Sequence, residues 1–86
     1  MYRLDIKKSA RKELDSLSNQ IFRKIDKIIL SLKKDPFPFP QSKKLKEQDK
    51  CRLRIGDYRV VYMVDEQQKI ITIFRVRHRK DVYRQV

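Results

Sequence analysis

Three arginines flanking a tight turn carry the first chemical signal in this sequence. The run Cys51-Arg52-Leu53-Arg54-Ile55-Gly56-Asp57-Tyr58-Arg59-Val60-Val61-Tyr62 alternates polar and apolar residues up to Gly56-Asp57, a pair of the kind that closes a two-residue β-hairpin. Such a loop sets Ile55 opposite Tyr58, and therefore Arg54 opposite Arg59, Leu53 opposite Val60 and Arg52 opposite Val61. Side chains alternate across a sheet, so Arg52, Arg54 and Arg59 share one face. Cys51, Leu53, Ile55, Tyr58, Val60 and Tyr62 share the other. Like charges directly opposite each other cost about 0.2–1 kcal/mol. An anion lying between them reverses that cost, and the planar guanidinium fork offers a phosphate two parallel bonds. A solvated edge kept charged against aggregation would explain one arginine; a facing pair with a third beside it points to phosphate.

A second candidate stretch is Val76-Arg77-His78-Arg79-Lys80-Asp81-Val82-Tyr83. Histidine titrates near pH 6.5 and moves protons readily, and a tyrosine does so when a cationic pocket lowers its pKa. A four-residue loop at Asp65–Gln68 pairs Val64 with Lys69 and hence Arg59 with Phe74, which gives His78 the parity of Arg59. Lys43, Lys44 and Lys46 form a further basic run that a long polyanion would find useful. Of the four tyrosines, Tyr58 and Tyr62 fall on the apolar face, which leaves Tyr83 as the best candidate for stacking on a base.

The elements that must position these groups follow from periodicity. Tyr2, Leu4 and Ile6 alternate with Arg3, Asp5 and Lys7, a strand with one buried face. Ser9 suits a helix N-cap, and Ala10, Leu14 and Leu17 keep helical spacing. After Ser18-Asn19 a second helix carries Ile21, Ile25, Ile28, Ile29 and Leu32 on one stripe, with Lys33 and Lys34 at its negative end and Asp35-Pro36 as its stop. Pro36 to Pro40 cannot be helix or central strand and reads as an extended crossover packing Phe37 and Phe39 on their neighbours. Lys50–Ile55, Tyr58–Val64 and Lys69–Val76 read as strands. The expected fold is α+β: an N-terminal strand, then a two-helix hairpin packed on one face of a mostly antiparallel four-stranded sheet.

Composition sets the bounds. Eighty-six residues make one domain, spanning 1–86, with 40% charged residues and a net charge of +12. Leu, Ile, Val and Phe number 26 of 86, enough for a small core despite the charge. Residues 50–86 hold seven Arg and three Lys, whereas residues 1–49 hold three Arg and ten Lys. The helical half is therefore solubilised by lysine, and the sheet half is equipped for phosphate. A single cysteine, a single histidine and a single glycine argue against a disulfide framework, a zinc cluster and a glycine-rich phosphate loop. No membrane span or signal core is evident. The chain reads as cytoplasmic, free of metal and cofactor, and drawn to polyanions.

The stretches Arg52-Leu53-Arg54-Ile55-Gly56-Asp57-Tyr58-Arg59-Val60-Val61-Tyr62 and His78-Arg79-Lys80-Asp81-Val82-Tyr83, with Leu45-Lys46 before them, resemble the RelE family of toxins from toxin–antitoxin pairs. The likeness extends over essentially the whole chain. It implies a ribosome-dependent endoribonuclease that cuts mRNA in the A site of the small ribosomal subunit and is silenced by a RelB-like antitoxin. By the same resemblance Arg59, Arg79, Tyr83 and His78 are the catalytic candidates, with Arg77 as an alternative to Arg79. Arg52, Arg54, Arg77, Lys44 and Lys46 would hold RNA phosphates, and DNA contact would come only through the antitoxin. The ParE-like toxins share the fold but act on DNA gyrase, and a non-catalytic RNA-binding module would also suit the arginine face.

Overall fold

A computed structural model of the chain describes residues 1–38, 40–44 and 50–80. In chain order the elements are β1 (Arg3–Ile6), α1 (Lys8–Asp15), α2 (Asn19–Ser31), β2 (Ser42–Lys44), β3 (Lys50–Ile55), β4 (Tyr58–Asp65) and β5 (Ile70–His78). The strands form one sheet in the order β1-β5-β4-β3-β2. Only the β1–β5 pair is parallel; the other three pairs are antiparallel. The α+β class is as expected. The sheet has one strand more than the expected four, because Ser42–Lys44 pairs with β3.

One face of the sheet and the two helices enclose a single core. Ala10, Leu14, Ile25, Ile29 and Leu32 meet Cys51, Leu53, Ile55, Val60, Tyr62, Ile71, Ile73 and Val76. Helix α2 starts where Ser18 accepts a hydrogen bond from Ile21 N–H, an N-cap that satisfies one of the helix's orphan donors. Ser9 does not cap α1. Lys7 holds that position, and Ser9 instead lies within the first turn, where its hydroxyl donates to Phe74 O. Helix α2 ends at Ser31 with Leu32 as its C-cap, earlier than the expected Asp35-Pro36 stop, so Lys33 and Lys34 lie in the turn that follows rather than in its last turn. Phe37 stays 47% exposed rather than packing inward. Phe39 lies outside the described residues.

Tyr62 ties the crossover to the sheet. Its hydroxyl donates to Pro36 O at 2.7 Å and lies 2.6 Å from Ser42 Oγ, which therefore serves as the donor to Tyr62. Burial pushes the Tyr62 phenol up to about 12, against the opposing pull of the Ser42 hydrogen bond. Burial likewise pushes the Cys51 thiol up, partly offset by the nearby Lys44 charge. Both groups keep their protons at neutral pH and belong to the architecture.

The two hairpins differ in regularity. Gly56 adopts φ +58°, a region a side chain enters only at a cost, and the turn pairs Ile55 with Tyr58 and Arg54 with Arg59 as expected. In the second hairpin Asp65 pairs with Ile70 and Val64 with Ile71, so the loop is Glu66–Lys69 rather than Asp65–Gln68. Asp65 Oδ1 accepts from the N–H groups of Gln67 and Gln68, which fixes that turn. Farther along, Tyr62 pairs with Ile73 but Val61 with Arg75, so Phe74 is the extra residue of a β-bulge. The bulge keeps Val76 in the core and turns Arg75 and Arg77 outward. A regular strand continuing from Ile71 and Ile73 would have buried both arginines.

Candidate functional site

The open face of the sheet gathers the arginines. Arg52 and Arg54 come from β3 and Arg59 from β4, and together with Lys43, Pro40 and Gln41 they line a shallow hollow of about 210 Å³. Lys43 pairs with Arg52 across β2 and β3, so strand alternation brings it to this face. The same alternation sends Lys44 away, opposite Cys51, into a separate hollow beside Phe37 and Glu66. Of the expected lysines, then, Lys43 and not Lys44 joins the arginines, and Lys46 lies outside the described residues. Among the described residues no carboxylate makes an ion pair with Arg52, Arg54, Arg59 or Lys43. One end of the Arg59 guanidinium is held by backbone oxygens, with Nη1 donating to Tyr58 O at 3.0 Å and to Gly56 O at 3.3 Å. Arg59 is therefore oriented but, among the described residues, not neutralised.

Strand β5 brings its arginines to the same side. Arg77 stands opposite Arg59, and the backbone N–H of Arg79 donates to Asp57 O at 2.6 Å. That bond ties Arg79, which is exposed and lies just past the end of β5, to the turn that precedes Arg59. The two arginines differ in what they touch. Arg77 Nε donates to Glu13 Oε2 at 2.9 Å, and Arg77 is only 18% exposed.

His78 is not where parity without a bulge would place it. The extra residue at Phe74 moves it opposite Tyr58, with the two rings edge-to-face at 5.2 Å and 82°. It lines a hollow on the helix side with Lys24, Ile25 and Ile55, and its Nδ1 accepts from Lys80 N–H at 3.3 Å. It is therefore separated by the sheet from the Arg52–Arg54–Arg59 hollow. Tyr83 falls outside the described residues.

Glu13 had no place among the expected site residues. It explains how the outer edge of β5 ends. β1 covers that edge only as far as Ile73, and α1 takes over. Ser9 Oγ donates to Phe74 O at 2.8 Å, and Glu13 Oε1 accepts from Val76 N–H at 2.8 Å. The spacing of Ser9 and Glu13, four residues apart on one helix face, was the available signal. So was an acid directly after the basic run Lys7, Lys8, Arg11 and Lys12.

Among the described residues no group of three or more His, Cys, Asp or Glu side chains could hold a metal ion, and no helix is long and apolar enough to cross a membrane. What the open face offers chemically is a set of cations, one of them oriented by backbone oxygens, with no acidic partner among the described residues, an arrangement suited to binding an anion.

Comparisons with known proteins place this geometry among relatives. The family model for the ParE toxin of the type II toxin–antitoxin system parDE matches residues 4–83. The toxin-family protein RelE1 of Methanocaldococcus jannaschii is 33% identical, with 96% of each chain covered. The fold matches a chain of the archaeal RelE–RelB complex from Pyrococcus horikoshii at a TM-score of 0.78 and 31% identity, over 91% of this chain and 94% of that one. It also matches a chain of the RelBE2 toxin–antitoxin complex from Mycobacterium tuberculosis at a TM-score of 0.79 and 25% identity, over 90% and 96% of the two chains.

Proposed function

The chain belongs to the RelE/ParE superfamily of toxins from type II toxin–antitoxin systems, and from that premise we propose that it is a ribosome-dependent mRNA endoribonuclease held silent by a RelB-like antitoxin. The observation that carries this reading is the cluster of Arg52, Arg54 and Arg59 with Lys43 on the open face, with no carboxylate paired to it among the described residues. A nucleic-acid backbone is the ligand that such a cluster suits best.

In the proposed mechanism the 2′-hydroxyl of the mRNA attacks the adjacent phosphate, and the 5′-oxygen leaves. The products are a 2′,3′-cyclic phosphate and a 5′-hydroxyl. Arg59 and Arg79 stabilise charge on the phosphorane-like transition state, and the fixed orientation of Arg59 spares reorganisation at that moment. Arg52, Arg54 and Lys43 position flanking phosphates. Tyr83 stacks on a base or moves a proton. His78 acts through the chain rather than on the RNA, by holding the Lys80 backbone at the start of the segment that carries Tyr83. A positioned proton-transfer group contributes only about 10²–10⁴-fold, so much of the acceleration is left to orientation of the RNA by the ribosome, and free RNA is a poor substrate.

The partner is an acidic antitoxin segment complementary to the +12 surface, in the manner of the RelE–RelB complexes this chain resembles. The cytoplasm is the compartment in which such a protein meets ribosomes. Gyrase inhibition is the second reading, favoured by the match to the ParE family model.

Primer extension on mRNA with and without programmed ribosomes tests the proposal. Cuts are expected only with ribosomes, and Arg59→Ala should lose them while keeping near-normal ribosome binding. Tyr83→Phe separates proton transfer from stacking. A folded protein that never cuts, yet inhibits gyrase supercoiling, would transfer the function to the ParE-like reading.

A further inference from the structure

We propose that Glu13 is a positioning residue that divides the arginines of the sheet into two sets, drawing Arg77 and Arg75 into the fold and leaving Arg79 as the partner of Arg59 in phosphate binding. The assignment rests on the phosphate-binding reading of the open face given above. It gives a physical reason to take Arg79 rather than its alternative, Arg77.

The geometry carries it. One carboxylate, 22% exposed, accepts hydrogen bonds from Val76 N–H at 2.8 Å and Arg77 Nε at 2.9 Å and forms an ion pair with Arg75 Nη2 at 3.4 Å. The backbone bond fixes Oε1, and with it the direction of Oε2 toward the arginines. Arg77 stands directly opposite Arg59, so without a counter-charge the pair would repel across β4 and β5. Glu13 removes that repulsion and turns the Arg77 guanidinium to the outer edge of β5, where α1 lies. Once it is paired there, Arg77 can meet a phosphate only by giving up a charged partner. Arg79 is exposed and makes no ion pair among the described residues.

Glu13→Gln is the informative variant. Glutamine keeps an oxygen for Val76 N–H but presents its NH₂ group to two guanidinium donors. The strand edge stays capped, and the arginines are released to the open face. Binding of a labelled single-stranded RNA oligonucleotide, followed by anisotropy over a range of salt concentrations, reads the outcome. Each freed arginine that reaches a phosphate should steepen the log K versus log salt slope by about 0.7, or roughly five-fold in affinity per contact at 0.1 M salt. Adding Arg77→Gln should reverse its share in the Glu13→Gln background. In the native background Arg79→Gln should flatten the slope by about 0.7, and Arg77→Gln should flatten it far less.

Equal flattening by Arg77→Gln and Arg79→Gln would overturn the assignment, as would a folded Glu13→Gln protein with an unchanged slope. The comparison of the two arginines decides the matter even if Glu13→Gln does not fold. A readout independent of RNA separates this proposal from the nuclease reading: the Arg77 Nε–H NMR signal should be protected from exchange in the native protein and lose that protection in Glu13→Gln. Retention of protection counts against the assignment, whether or not the protein cuts mRNA.

Discussion

Arg59 has an arginine opposite it on each side, Arg54 on β3 and Arg77 on β5, and the two pairs have been treated differently. On the β5 side a carboxylate from α1 lies within 2.9 Å of the second guanidinium. On the β3 side no acid pairs with either arginine among the described residues, and only backbone oxygens steady Arg59. The β5 pair is thus a piece of the fold, in which charge secures a strand edge that β1 is too short to cover. The β3 pair keeps its repulsion. A count of cations therefore overstates this site, and the informative quantity is how many cations the fold has left unneutralised. By that measure, and among the described residues, the open face offers Lys43, Arg52, Arg54 and Arg59, and Arg79 is exposed just past the end of β5.

The largest expected effect breaks the neutralised side. Glu13→Ala removes the acceptor of Val76 N–H and the counter-charge of two arginines, and a loss of about 2–3 kcal/mol is expected, measured by urea denaturation. In a domain this small that is a large share of total stability. The matched change on the other flank, Arg52→Ala, should lie within about 0.5 kcal/mol of the native protein, since it breaks no ion pair among the described residues. Equal costs for the two would mean that the difference between the flanks is only geometric.

A smaller effect comes from the turn that creates the β3 pair. Gly56→Ala places a side chain at φ +58°, and the new Cβ would meet only Lys24 Nζ at 3.5 Å, an ordinary contact. Backbone strain is then the main cost, about 1–2 kcal/mol. Chemical denaturation should show that loss with an unchanged m-value. A changed m-value would indicate that the hairpin had slipped register and carried Arg54 away from Arg59.

The two hairpins also differ in how far they could be read from sequence. The first was legible because a two-residue loop leaves one register, and Gly56 marks the only place for it. In the second, the loop lies one residue later than expected, at Glu66–Lys69, a shift of two in the pairing sum that preserves parity. The bulge at Phe74 is what moved His78 to the far side of the sheet. A clue was present: Ile71, Ile73 and Val76 share a face only if one residue is inserted between Ile73 and Val76, and regular pairing would bury Arg75 and Arg77 at a cost far above that of a bulge. Lys43 and Lys44 could be told apart only once Ser42–Lys44 was known to be a strand. Glu13 could be understood only once the short β1 left the β5 edge open. Both depend on contacts distant in sequence, where local patterns are silent. Tyr83 and Lys46 lie outside the described residues, and their parts in the site rest on the proposal.

The smallest expected effect has the opposite sign and is the sharpest statement of the contrast. Arg54→Thr removes one member of the facing pair that has no acidic partner among the described residues, at a position that is exposed in β3. Threonine suits a strand at least as well as arginine, and no ion pair among the described residues is broken. Stability should rise, by about 0.2–1 kcal/mol, because a like-charge pair has been dissolved. The same change should flatten the salt dependence of RNA binding by about 0.7 and weaken mRNA cleavage. On the β5 side the corresponding removal, Arg77→Thr, should lower stability, since it strips Glu13 of its closest charged partner. Opposite signs from two arginines that both face Arg59 would show that one is held for the fold and the other against it. Destabilisation by both would show instead that Arg54 has a stabilising partner of its own, and the open face would lose its claim to be a site kept charged for a ligand.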